Sequence, residues 1–405
     1  MTLRDLGLDE YGGQQETVSI LVGPNGSGKS SLFLKLAQRY RFDRNITIIC
    51  NTPHDRFSGL RRVKRISVGR SDQSPKVIVK NAVAGALDRT GSEFFQISAI
   101  LIHCGYSPRF GFRIEPLSRY GISYDQIRDA EDQGTPDDVQ SWLLGAPGKD
   151  EELRRVLAFL QRHDPSKLIW IDATESVFKF SLAREFASVL KLEAKLRSWG
   201  IIRGIGVYLS RGEDDQELEI KHASSGQLAL ISSLLFLITN VGEVPMIIVD
   251  EPENSLHPSW QREYVEKILA AMTYRNATVL IATHAPLVVT GALADSPSLV
   301  SVFEVRDGVP RRLDLDSARS PSGIEEILWR AFDVVTPANH FVSEEIVTAI
   351  SRFETGEIEK DEVLKLVDRM DQESFDDRQK RFFGAVRELV DKVEVARDSG
   401  TDADV

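Results

Sequence analysis

The 405-residue sequence holds two cysteines, Cys50 and Cys104. That scarcity excludes a disulfide framework and any zinc cage built on cysteine. No run approaches the 18 or more uncharged apolar residues that a membrane helix needs. Met1-Thr2-Leu3-Arg4-Asp5 lacks the basic-then-apolar order of a secretion signal, so a cytoplasmic location without membrane attachment is expected. Internal repeats, low-complexity tracts and sustained heptads are missing too, which excludes solenoids and long coiled coils. Basic charge is in deficit, 50 Lys+Arg against 61 Asp+Glu for a net −11. Taken as a sum, this speaks against nucleic acid. The sum hides a gradient: Ser31 to Arg128 carries 17 basic against 7 acidic side chains, whereas Phe341 to Val405 carries 10 against 18.

What is present alternates strands with helices. Val18 to Val22 reads as a buried strand, running into a Gly-rich turn and an apolar helix from Ser31 to about Tyr40. Further strands are expected at Ile46–Cys50, Leu168–Asp172, Ile201–Ser210, Glu217–Lys221, Met246–Val249 and Thr278–Ala282, with helices between. Thr135-Pro136 signals another helix start. Strands that are apolar at nearly every position indicate a mostly parallel sheet covered on both faces, an α/β fold class.

Gly23-Pro24-Asn25-Gly26-Ser27-Gly28-Lys29-Ser30 fits G-x-x-x-x-G-K-[ST] between a strand and a helix, the context that identifies a phosphate loop. Backbone N–H groups there face a polyphosphate, Lys29 reaches the β- and γ-phosphates, and the Ser30 hydroxyl can ligate Mg²⁺; Ser31 completes the candidate set. Met246-Ile247-Ile248-Val249-Asp250-Glu251 delivers two carboxylates to a strand end. Asp250 suits the metal and Glu251 the activation of a water. Asp172 ends another apolar strand but is followed by Ala173, and reads as a turn residue. His103-Cys104 has no partners nearby in sequence and reads as packing.

With these residues the chain resembles an ABC-type ATPase head of the RecF, SMC and OLD groups. Ser224-Ser225-Gly226-Gln227 resembles a divergent ABC signature, Asp250-Glu251-Pro252-Glu253-Asn254-Ser255-Leu256-His257-Pro258 resembles the D-E-P-E-x-x-L-H-P run, and Thr283-His284-Ala285-Pro286 resembles the T-H-x-P switch. The resemblance implies a P-loop ATPase head with a helical insertion and a helical C-terminal tail. It implies ATP and Mg²⁺ as cofactors, and a head-to-head homodimer in which Ser224, Ser225, Gly226 and Gln227 face the γ-phosphate held by Lys29 of a second subunit. Asn254 and Ser255 would lie in the loop between subunits, and His284 would contact the γ-phosphate or the attacking water. Ser225 stands where many relatives have Gly. A lid glutamine is expected, with Gln73 and Gln96 as candidates.

The expected division is residues 1–114 and 201–310 for two lobes of the head, 115–200 for a mainly helical lid, and 311–405 for an acidic helical region. Stand-alone heads of this kind resemble the ATPase components of bacterial anti-phage systems such as Septu and the retrons, acting with a separate effector such as a nuclease. A RecF-like repair ATPase and an ATP-gated scaffold that does not hydrolyse are the alternatives. Asp314-Leu315-Asp316 matches part of the nuclease pattern of OLD proteins, with too little chain after it for that domain. The run Arg61, Arg62, Lys64, Arg65, with Arg70 close by, is a candidate for tracking DNA or RNA; a solvated loop or a contact with an acidic tail explains it equally. In the tail, Ile346, Ile350, Phe353, Leu364, Val367, Phe382, Val386 and Leu389 recur at helical spacing, either packed on the head or open to an effector.

Overall fold

The computed structural model describes residues 2–8, 16–52, 55–67, 74–88, 92–116, 149–172, 180–211, 216–272, 275–313, 332, 340–372 and 377–401. Its centre is a seven-stranded sheet of β1 (Thr17–Val22), β2 (Ile46–Cys50), β3 (Lys64–Ser67), β8 (Met246–Asp250), β9 (Thr278–Ala282), β10 (Val300–Arg306) and β11 (Val309–Arg312), in the order β11-β10-β1-β9-β8-β2-β3. All neighbours are parallel except β10 and β11, joined by the Asp307-Gly308 turn. The continuous apolar runs are explained by burial on both faces. Along β8, Ile247 and Val249 enter one core while Met246 and Ile248 enter the other. The first core is closed by α2 (Pro75–Asp88), α6 (Ser225–Asn240), α7 (Pro258–Ala271) and α8 (Pro286–Asp295), the second by α1 (Lys29–Tyr40) and a 3-10 turn at Leu3–Leu6. Each fully buried Ile, Val or Leu contributes about 1.5–3 kcal/mol, and several tens of them define these two layers.

Register positions the site. Leu21 pairs with Ala282, Ala282 with Asp250, and Asp250 with Cys50, so four strands end in one row. The residues that follow each of them therefore meet at one carboxyl edge, which is where ligands bind in open parallel sheets.

The described part of the segment 115–200 is mainly helical, with the expected strand inside it. It holds α4 (Lys149–Arg162) and α5 (Phe180–Ser198), but β5 (Ile169–Asp172) joins β4 (Arg109–Pro116), β6 (Ile202–Arg211) and β7 (Gln216–Glu219) in an antiparallel sheet of order β5-β4-β6-β7. This sheet crosses the expected boundaries at 114/115 and 200/201. On β4 the alternation Phe110, Phe112, Ile114 fills the core, while Arg109 and Arg113 on the other face stack on Trp170 and Tyr208 at 4.6 and 4.7 Å. Asp172 pairs across the ladder with Arg109, far in register from the phosphate loop, in agreement with a strand-end role. The helix α3 (Ser92–His103) packs against α6 and α2. Residues 117–148, with the helix start at Thr135, and Asp314–Asp316 lie outside the described residues.

The tail is α9 (His340–Glu354), α10 (Lys360–Gln372) and α11 (Asp377–Thr401), and these helices build a hydrophobic core of their own. Ile346, Phe353, Val363, Val367, Met370, Phe383, Val386 and Val390 are buried in it. Ile350 and Leu364 pack at its margin, whereas Phe382 and Leu389, read from the spacing as apolar-face residues, are exposed. Their neighbours Phe383 and Val390 join Val386 on the buried face of α11. Among the described helices, none is long and apolar enough to cross a membrane.

Candidate active site

The phosphate loop bends between β1 and α1 because glycine allows it. Gly23, Gly26 and Gly28 have φ of 142°, 85° and 103°, and a Cβ on Gly23 would sit 2.6 Å from the Val305 carbonyl oxygen. The β10–β11 turn braces the loop from outside through Gly308 N–H donating to the Ser27 carbonyl at 2.9 Å. Lys29 is buried, and its Nζ donates to the carbonyls of Gly23 at 2.6 Å and Pro24 at 3.2 Å. Burial pulls the Lys29 ammonium below its usual pKa, opposed by Glu251, Glu253 and Asp250.

Ser30 and Asp250, 220 residues apart, meet at the carboxyl edge: Ser30 Oγ donates to Asp250 Oδ1 at 2.9 Å. Asp250 is 1% exposed, and desolvation pushes its carboxyl up to about 6 despite the Ser30 hydrogen bond. A buried carboxylate with one hydroxyl for company is a poor resting place for charge and a good one for a divalent cation. The pair Ser30 and Asp250 thus fits Mg²⁺, both being hard oxygen donors. Around them lies a cleft of about 270 Å³ lined by Asn25, Gly26, Gly28, Lys29, Ser30, Ser31, Thr52, Arg56, Asp250 and Glu251.

Glu251 adopts φ 52°, a left-handed conformation that is costly for a non-glycine residue, and is fixed there by its N–H donating to Ala282 O at 2.8 Å. Asn254 Nδ2 donates to Glu251 Oε2 at 3.2 Å and to Asn51 O at 3.2 Å. His284, at the end of β9, places Nδ1 3.1 Å from Glu253 Oε1 and 3.8 Å from Glu251 Oε1. Glu253 also accepts the His284 backbone N–H at 2.7 Å, so it sets both the backbone and the ring of that residue. A histidine whose Nδ1 proton is held by a carboxylate presents Nε2 as its acceptor.

The helix α6 starts at Ser224, whose Oγ accepts from Gln227 N at 3.2 Å in a capping box. Gln227 is engaged inside the chain, accepting from Tyr106 Oη at 2.7 Å and donating to Cys104 O at 3.0 Å. Ser225 is exposed, and none of Ser224, Ser225, Gly226 or Gln227 lines the cleft that holds Lys29. Gly226 is buried, and a Cβ there would lie 2.4 Å from the Ser255 carbonyl oxygen. Ser255 itself has φ 70°. The start of α6 is thereby packed directly on the loop that carries Glu251 and Asn254.

Comparison with known proteins bears on this site. Residues 117–290 match the family described as "AAA domain, putative AbiEii toxin, Type IV TA system". That stretch of 174 residues is similar to an AAA domain. The match takes in the α6 start, Asp250 to Pro258 and His284, while the phosphate loop joins it in space through Ser30 and Asp250. Protein ea59 of Escherichia phage lambda is 26% identical over 145 residues, 34% of this chain and 28% of that protein. The retron Vc95 probable ATPase of Vibrio cholerae is 25% identical over 154 residues, 35% of this chain and 29% of that one. The match spans under a third of the length of either relative. Among solved structures, an ATP-binding cassette of an ABC transporter in its ADP conformation aligns over 78% of this chain and 86% of its own at 14% identity and TM-score 0.31. The Pyrococcus furiosus Smc head domain bound to the C-terminal domain of ScpA aligns over 79% and 94% at 12% identity and TM-score 0.29.

Several residues of the cleft and its surroundings were not singled out by sequence. Asn51 and Thr52 follow β2 beside Asp250: Asn51 N–H donates to Asp250 O at 3.1 Å, and Thr52 lines the cleft. Arg56, donating to Ser31 Oγ at 2.9 Å, adds a cation there, and Glu253 orients His284. The signal for Asn51 and Thr52 was available, a β-branched strand stopped by Asn51-Thr52-Pro53 at the same edge as the carboxylates. Of the lid-glutamine candidates, Gln96 stands on α3 and does not line the cleft, and Gln73 lies outside the described residues. In the basic run, Arg65 pairs with Asp55 at 3.4 Å and Lys64 donates to Asn240 O at 2.5 Å, so both are engaged within the fold; Arg70 lies outside the described residues.

Proposed function

We propose that the chain is an Mg²⁺-dependent ATPase that closes as a head-to-head dimer around ATP and licenses a separate effector in a bacterial defence system. The observation that carries the ATPase reading is the meeting of Lys29, Ser30, Asp250 and Glu251 in one cleft. Loop N–H groups and Lys29, whose Nζ exchanges the Gly23 and Pro24 carbonyls for phosphate oxygens, would hold the β- and γ-phosphates. Ser30 and Asp250 would hold the Mg²⁺, which when bound supplies charge neutralisation on those phosphates. Glu251, held by Asn254, would accept the proton of a water attacking the γ-phosphorus in line with the departing ADP oxygen. His284, aligned by Glu253, would hydrogen-bond the same water or the phosphoryl oxygens through Nε2.

The dimer is supported by the position of Ser225 and Gly226. An exposed serine at a helix N-terminus suits an anion, yet it stands outside the cleft of its own chain. A second copy supplies the phosphate that this helix lacks. The defence role is supported by the family description and by the retron ATPase among the relatives. Glu251→Gln should bind ATP, lose turnover and accumulate as a dimer in size-exclusion chromatography with light scattering. Turnover equal to the parent would remove Glu251 from the role of base.

A further inference from the structure

We propose that the edge at which the parallel strands begin binds single-stranded nucleic acid, gripped by Arg39, Arg41, Arg61 and Arg62 around the exposed ring of Phe42. Arg39 to Arg44 run from the end of α1 into β2, and Arg61 and Arg62 lead into β3, whose Lys64 pairs with Thr47 of β2. All of these positions therefore lie at the amino edge of the sheet, opposite the phosphate loop.

Three observations coincide there. First, the four arginines have no carboxylate partner among the described residues, in a chain of net charge −11. Three arginines elsewhere on the surface are paired, Arg162 with Glu185 at 2.8 Å, Arg352 with Glu357 at 3.2 Å and Arg387 with Asp368 at 2.7 Å. Asp43 and Glu243 are the exposed carboxylates at this edge, and neither reaches those guanidinium groups. Second, Phe42 is 63% exposed, with Arg41 Cζ 4.8 Å and Arg62 Cζ 5.2 Å from its ring centroid. The arginines and the ring form a ready platform: an unpaired base can exchange for a guanidinium on the ring while that guanidinium moves to a phosphate. Third, Val244 is a β-branched residue at φ 44°, 37% exposed, on a loop tied to this edge by Asn45 Nδ2 donating to Glu243 O at 3.4 Å. Strain of that kind is retained where a surface must keep a particular shape.

A phosphate backbone meets the unpaired charge, and the ring selects unstacked bases over duplex, whose faces are occupied. An acidic peptide would use the charge but leave Phe42 bare. Binding of the full-length protein to short labelled single strands of DNA and of RNA, and to the matching duplex, is read by fluorescence anisotropy. Phe42→Ala should weaken single-strand binding by about 5- to 150-fold, with little effect on duplex. Arg61→Glu with Arg62→Glu should weaken it further and flatten its salt dependence by about 0.7 in log–log slope for each phosphate that is no longer neutralised. Comparison of the DNA and RNA arms identifies which single strand is preferred. ATP affinity, measured on the same preparations, should equal the parent's, which separates damage to this surface from misfolding and from failure of the ATPase reading. Parent affinity for single strands in both variants would overturn the proposal. So would retention at this edge of only a peptide of residues 377–401 or of anionic vesicles.

Discussion

Gly226→Ala makes the coupling between the start of α6 and the carboxylate loop measurable. The new Cβ would lie 2.4 Å from the Ser255 carbonyl oxygen. Ordinary contact between such atoms begins near 3.4 Å, so the helix and the loop must part by about 1 Å. Over-packing of this size costs about 1–3 kcal/mol, and lowers the melting temperature by about 2–4 °C per kcal/mol in domains of this order. The greater effect should fall on turnover. Ser255 follows Asn254, whose Nδ2 holds Glu251 Oε2 at 3.2 Å, and a displacement of about 1 Å near reacting groups can cost about 100-fold in rate. Nucleotide binding by the single subunit should persist, since Lys29, Ser30 and Asp250 are untouched. Calorimetric melting, ATP titration and steady-state phosphate release on one preparation read all three. An unchanged melting temperature would refute the close packing. A lowered one with parent turnover would refute the coupling.

Further predictions rest on buried charge. Asp250 is raised to about 6 from 3.8, so between these values the folded state binds more protons than the unfolded one, and stability falls as pH rises through that window. Without Mg²⁺, Asp250→Asn should therefore stabilise the protein at pH 7.5 by up to about 3 kcal/mol and abolish further stabilisation by Mg-ATP, both seen in thermal melts. Lys80 on α2 and Glu193 on α5 form a buried ion pair, and Glu193 Oε1 also accepts from Ile205 N–H at 3.0 Å. Glu193→Ala should cost about 3–5 kcal/mol in denaturant melts by leaving the Lys80 charge buried and unpaired, while replacing both by apolar residues of similar volume should recover most of it.

The central sheet and the phosphate site were legible because their signals are local. The phosphate loop carries its own spacing, and β8 shows a run of apolar residues ended by Asp250 and Glu251, whose burial on both faces follows from that run. In the β4–β7 sheet, β5, β6 and β7 were legible and β4 was not, because Arg109 and Arg113 interrupt its apolar alternation with charges that the fold stacks on aromatic rings. Arg56 escaped notice because its place at the cleft appears only when the chain after β2 is brought beside β8, a pairing of residues 200 apart set by register. The same holds for Phe42, an unremarkable residue in sequence until Arg41 and Arg62 are brought to its ring. In the tail, spacing alone could not fix the rotation of α11, since Phe382 and Phe383 are both apolar and one of them had to face outward.

The central claim is that each ATP is held by Lys29 of one subunit and Ser225 of another. Two inactive variants test it directly: Lys29→Ala, which damages the phosphate loop, and Ser225→Arg, which blocks the α6 start. In a symmetric dimer a mixed pair has one site with both defects and one with neither, so equimolar mixing should restore about a quarter of the parent ATPase rate. A mixture as inactive as its components would contradict the shared site.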